Sequence, residues 1–132
     1  MAGLAEDARR AFYAAWQGDI EEVIAEDYHD HDMAPGLPPT REGFRQLREM
    51  TMTAFPDFEV IVEDAVASDD RVALRITNRG TNTGPFMGNE PTGARCEWRT
   101  YTILRMENGR FVERWGMIDL YALFSQLGLL GG

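Results

Sequence analysis

The chain has 132 residues, 44% hydrophobic and 27% charged, with 13 basic side chains against 22 carboxylates and a formal charge of −9. All the basic residues are arginine, so Schiff-base catalysis through a side-chain amine is excluded, and only the N-terminal amine is left for it. Residues 1–32 carry nine carboxylates and two arginines, and a net-acidic chain lacks the basic footprint of a nucleic-acid or anionic-membrane binder.

Length and composition describe one globular domain over 1–132. Cys96 stands alone, so no internal disulfide forms, and no Cys/His spacing matches a zinc site. The first ten residues hold acids and no apolar run, and no stretch approaches the ~20 apolar residues of a membrane span. The expected compartment is the cytoplasm.

Leu4, Ala8, Ala11, Phe12, Ala15 and Trp16 recur at steps of three and four, which predicts an amphipathic helix stopped by Gly18. Asp19 with Glu22 forms a capping box for a second helix, expected to run to about Asp27 with Ile20, Val23 and Ile24 buried. The segment 28–33 then reads as a short strand, with Tyr28, Asp30 and Asp32 on one face and His29, His31 and Met33 on the other. Pro35-Gly36-Leu37-Pro38-Pro39 forbids regular structure. Thr40 caps a third helix carrying Phe44, Leu47 and Ala54 inward, which ends at Phe55-Pro56-Asp57.

The remainder is β-rich. Residues 58–67 and 71–80 pair across a turn at Ser68-Asp69-Asp70, and a loop at 81–94 separates them from a strand at 95–106. The Asn108-Gly109 pair predicts a tight hairpin turn into 110–119. Leu120, Leu123, Phe124 and Leu127 mark a closing helix. Helices followed by antiparallel strands make an α+β domain, with a cleft between the layers as the expected ligand site.

Several pieces recur in a recognisable order. They are Tyr28-His29-Asp30-His31-Asp32, Thr40-Arg41-Glu42-Gly43-Phe44, Phe55-Pro56-Asp57-Phe58, Gly80-Thr81-Asn82-Thr83-Gly84-Pro85-Phe86-Met87-Gly88, Glu113-Arg114-Trp115, Asp119 and Gln126-Leu127-Gly128. In this order the chain resembles the SnoaL-like polyketide cyclases (ester cyclases) of the nuclear transport factor 2-like superfamily. The resemblance implies a cone: a curved, mixed but largely antiparallel sheet wrapped on N-terminal helices around a deep apolar pocket. It also implies cofactor-free intramolecular aldol cyclisation of a small hydrophobic oxygenated substrate, with Asp119 matching the acid/base aspartate, and a homodimer. Two departures stand out. Asn82 and Arg114 occupy positions where the family usually has His. The same fold also hosts epoxide hydrolysis, isomerisation, hydroxylation-linked reactions and non-catalytic binding or dimerisation modules.

Unless a bulge intervenes, two-residue alternation places Trp115, Met117 and Asp119 on one strand face, where an indole and a thioether would desolvate the carboxylate. Asp119 has a second open role as cap of the following helix. His31 and Arg75 are the candidate partners for a developing oxyanion, with structural hydrogen bonding or a solvent-facing position as the alternatives. Trp115, Met117, Tyr28, Phe44, Met87 and Trp16 are the candidate pocket lining, and ordinary packing is their alternative. His29 and His31 give two imidazoles on one face, short of a catalytic metal set, so no metal and no cofactor are expected.

Overall fold

The N-terminal apolar stripe folds as α1 (Leu4–Trp16) in the computed structural model, which describes residues 3–130; the N-terminal amine lies outside them. Its buried residues are Ala8, Ala11 and Ala15, whose small side chains let the helix lie close against the sheet. Two polar contacts fix its position: Arg9 Nη1 donates to Val62 O at 2.6 Å, and Val62 N donates to the Tyr13 hydroxyl at 2.8 Å. Both backbone groups belong to a strand whose pairing slips between Val62 and Asp64. That strand is the last in the sheet, so its outer edge is open to side chains of the helix above.

The second helix is far shorter than its pattern predicts. α2 covers only Ile20–Val23, the Asp19 side chain makes no cap bond, and Ile24 is already extended at φ −115° and ψ 123°. Strand β1 (Ile24–Asp30) takes the residues expected to finish the helix. Ile24 pairs with Phe111, so strand pairing outweighs the local helical pattern. α3 (Arg41–Ala54) follows the Pro-rich segment, which folds down onto it. A Cβ on Gly43 would stand 1.8 Å from Pro38 O, so only glycine allows this approach.

Strands β2 (Glu59–Ser68), β3 (Arg71–Thr81), β4 (Arg95–Glu107) and β5 (Arg110–Ile118) form consecutive antiparallel pairs, and α4 (Leu120–Gln126) closes the chain. The sheet order is β1-β5-β4-β3-β2, with β1 parallel to β5. Asn108 and Gly109 have φ of 52° and 77°, as the tight hairpin turn requires. The helices cover one face of the sheet. One buried cluster joins α1 and α2 to β1, β2, β3 and the far halves of β4 and β5, and a second joins Ala54 and Phe55 to Cys96, Trp98, Leu123 and Leu127.

One register expectation is overturned. In β4–β5, Met106 pairs with Phe111 and Arg105 with Glu113, so Val112 is an extra residue. Phe111 points into the helix-covered face, and strict alternation from it would bring 115, 117 and 119 inward too. The bulge at Val112 reverses that parity. Arg114 and Ile118 face the interior, whereas Trp115 and Met117 lie on the outer face, with Met117 exposed.

Asn82 is buried in the 82–94 loop, donates through Nδ2 to Ala54 O and Gly84 O, and accepts at Oδ1 from Thr92 N and Thr92 Oγ1. Its amide uses donors and acceptors together to hold the loop on the end of α3, a set that one imidazole cannot reproduce.

Candidate active site

Between α1, α3 and the concave face of the sheet lies a cavity of about 90 Å³. Its walls are mostly apolar: Phe12 and Trp16 from α1, Phe44 and Leu47 from α3, and Phe58, Trp98, Leu104, Phe111 and Ile118 from the sheet side. Trp16 stands edge-on to Phe44 at 5.2 Å and tilted against Phe58 at 4.8 Å. The free volume is below the ~300 Å³ of a typical small-molecule site, so a ligand of that size enters only if a wall gives. Met33 and Ala34 supply a wall without regular structure, in the segment joining β1 to α3.

One end of the cavity is charged. Asp30 and Arg114 are direct partners in the parallel β1–β5 pairing, and the bulge at Val112 turns Arg114 inward to meet the carboxylate. Arg114 Nη1 lies 3.0 Å from Asp30 Oδ1 and 3.2 Å from Oδ2, with the side chains 13% and 5% exposed. Asp30 Oδ1 also accepts the Asp32 backbone N–H at 2.9 Å, and Oδ2 accepts the Tyr28 hydroxyl at 3.4 Å. Burial first, and then the adjacent Asp30 charge, push the Tyr28 phenol far above its ordinary pKa, so it stays a proton donor at any working pH. Asp32 accepts the Gly116 N–H at 2.8 Å, which ties the end of β1 to β5. Gly116 leaves no space for a side chain, since a Cβ there would lie 2.7 Å from Tyr101 O, 2.8 Å from Thr102 Oγ1 and 2.9 Å from Arg114 Nη2.

A second polar point lies on the sheet floor, where Asn78 and Thr100 are buried and face the cavity. Trp16 Nε1 is fully enclosed and has no partner among the described residues.

The residues singled out by sequence divide sharply. Tyr28, Phe44 and Trp16 line the cavity. Trp115 and Met117 do not, for the parity reason given above. On the outer face Trp115 is stacked on His31 at 4.9 Å, with the Arg71 guanidinium 5.0 Å from its ring. His31 therefore points away from the cavity, with Nε2 2.7 Å from Glu113 Oε2, and the Arg105 and His31 contacts hold the Glu113 carboxyl below its usual range. Arg75 is on the outer face as well, paired with Asp64 at 2.7 Å. Met87 is exposed in the loop beside α3. Asp119 is exposed, lies outside the cavity lining, and accepts the Ala122 N–H at 3.0 Å as cap of α4. Of its two open roles, the geometry supports the cap.

Asp30 and Arg114 take the place of these residues as the titratable pair inside the cavity. No group of three or more His, Cys, Asp or Glu side chains converges as a metal cluster, and no helix is long and apolar enough to cross a membrane, among the described residues.

A family model described as SnoaL-like polyketide cyclase matches residues 6–127. IdmH from Streptomyces antibioticus, a candidate polyketide cyclase, is 35% identical over 94% of this chain and 98% of its own, with a TM-score of 0.80. AclR from Streptomyces galilaeus, a candidate hydroxylase, is 32% identical over 98% and 89%, with a TM-score of 0.82. TsrD from Streptomyces laurentii is 26% identical over 96% of both chains, with a TM-score of 0.83. No curated protein matches.

Proposed function

The chain belongs to the SnoaL-like polyketide cyclase family, and from that premise we propose that it closes a ring in a hydrophobic polyketide-like substrate by intramolecular aldol chemistry, with Asp30 as the acid/base group. The observation that carries this is a buried carboxylate paired with Arg114 and reached by the Tyr28 hydroxyl at one end of an apolar cavity. Asp30 Oδ1 is occupied by Arg114 and the Asp32 N–H, so Oδ2, with only longer contacts, is the oxygen that meets the substrate.

The step conserves charge within the cavity. Asp30 takes a proton from the carbon next to a carbonyl, and the negative charge passes to the enolate oxygen. Arg114, no longer balanced by a carboxylate, and the protonated Tyr28 then face that oxygen as donors. The enolate carbon attacks a second carbonyl of the same molecule, and the new alkoxide recovers the proton from Asp30. Substrate and product are isomers.

Mass therefore tests the reading. Incubated with linear poly-β-ketone methyl esters, the protein yields a cyclised product of unchanged mass. A carboxylic acid lighter than the ester by one CH2, with methanol released, identifies hydrolysis, and a product heavier by one oxygen atom identifies hydroxylation; either result overturns the cyclase assignment.

The outer face of the sheet fits a second copy of the chain. Val66, Tyr101, Ile103 and Met117 are exposed there side by side, an apolar strip on β2, β4 and β5 flanked by the Arg75–Asp64 pair. Light scattering at micromolar concentration is expected to return the mass of a homodimer, and Met117→Glu to return that of a monomer.

A further inference from the structure

Asn78 and Thr100 share one hydrogen bond on the floor of the cavity, and counting their donors and acceptors leaves a defined remainder. Asn78 Nδ2 donates to Thr100 Oγ1 at 2.8 Å and to Trp98 O at 3.3 Å. A backbone carbonyl only accepts, so the amide orientation is fixed and both Nδ2 hydrogens are used. Asn78 Oδ1 then has no partner among the described residues. Thr100 Oγ1 accepts from Asn78, which leaves its own O–H without an acceptor. The two side chains are 5% and 8% exposed and line the cavity. Buried polar groups of this kind ordinarily find a partner.

We infer that Asn78 and Thr100 form a subsite for a hydroxyl or enol oxygen of the ligand, a role that rests on the cavity being the substrate site. One such oxygen completes both groups: its O–H donates to Asn78 Oδ1, and its lone pair accepts from Thr100 Oγ1. An ether or ketone oxygen satisfies only Thr100, and a methyl group satisfies neither. The spacing adds a second restriction. Thr100 pairs with Ile118 and Leu104 pairs with Arg114, so the subsite lies four residues along β4 from the charged end. That is about 13 Å of strand. The ligand class is an extended oxygenated molecule, with the reacting carbonyl at Arg114 and a hydroxyl or enol oxygen at Thr100.

Phenol and toluene test this, because they differ by a hydroxyl in place of a methyl and neither is a substrate. In the wild-type protein phenol moves the Asn78 side-chain amide resonances and toluene does not. The preference for phenol over toluene, taken as the ratio of their Kd values, falls about tenfold in Thr100→Val and stays within about twofold of wild type in Thr100→Ser. An unchanged ratio in Thr100→Val, equal amide shifts with both ligands, or no binding of either at millimolar concentration overturns the subsite. Should Thr100→Val not fold, the wild-type amide shifts and the Thr100→Ser ratio decide. Neither probe undergoes cyclisation, so this outcome is independent of the turnover of Asp30 variants, and failure of the acid/base reading would be seen there alone.

Discussion

Asp30→Asn is expected to lower kcat at least about a hundredfold on a substrate that the wild-type protein cyclises, with KM changed far less, because it removes the proton carrier and leaves the shape of the cavity. The amide oxygen can still accept from Arg114 and from the Asp32 N–H, so the end of β1 keeps its connection to β5. The guanidinium, however, loses the charge that balances it, and a lower Tm accompanies the loss of turnover. The control is Asp119→Asn. Asn and Asp are equivalent helix caps, so this variant keeps the Ala122 N–H bond, its stability changes by a few tenths of a kcal/mol, and its turnover stays within about twofold of wild type. The opposite result, with Asp119→Asn inactive and Asp30→Asn active, would move the chemistry to the rim of the sheet and remove Asp30 from the mechanism.

These two aspartates mark how far the sequence could be read. The helical stripe of α1, the Asn108-Gly109 turn and the alternation of β3 and β4 are local patterns, and local patterns determined those elements. The facing of β5 is not local. Phe111 and Val112 are adjacent apolar residues that are both buried, and this doublet is the visible trace of a bulge; which of them is the extra residue depends on the pairing of Met106 and Arg105. A shift of one residue exchanged Arg114 for Trp115 at the cavity wall and moved Asp119 out of it. The early end of α2 has the same origin, since Ile24 leaves the helix to pair with Phe111, which lies far along the chain. The Asp30–Arg114 pair joins residues 84 positions apart, and no spacing within the sequence predicts it. Asn78 and Thr100 left a clearer signal: Asn78 is polar on a face that buries Val72, Leu74 and Ile76, and Thr100, with Thr102, is polar on a face that buries Cys96, Trp98 and Leu104. A polar residue on an apolar face needs a partner, and that requirement can be read before any coordinates are seen.

Arg114→Met is expected to be the more destabilising change, costing about 3–5 kcal/mol, because a methionine fills the space and leaves the Asp30 carboxylate buried without a counter-charge. Only the Asp32 N–H and the distant Tyr28 hydroxyl remain as donors to it. For a domain whose whole stability is of order 5–15 kcal/mol, this amounts to a loss of about 10–20 °C in Tm, read by thermal or urea unfolding. Volume and charge can be separated in a double variant. Asp30→Asn together with Arg114→Met removes both charges from the same space, and it is expected to recover most of the loss while remaining inactive. A cost below about 1 kcal/mol for Arg114→Met would mean that water reaches the pair and screens it, as at an exposed ion pair. The enolate oxygen would then be hydrated as well, and Arg114 could not supply the stabilisation that the aldol step requires of it. Stability and catalysis thus depend on the same property of this cavity end, the exclusion of water from one carboxylate and one guanidinium.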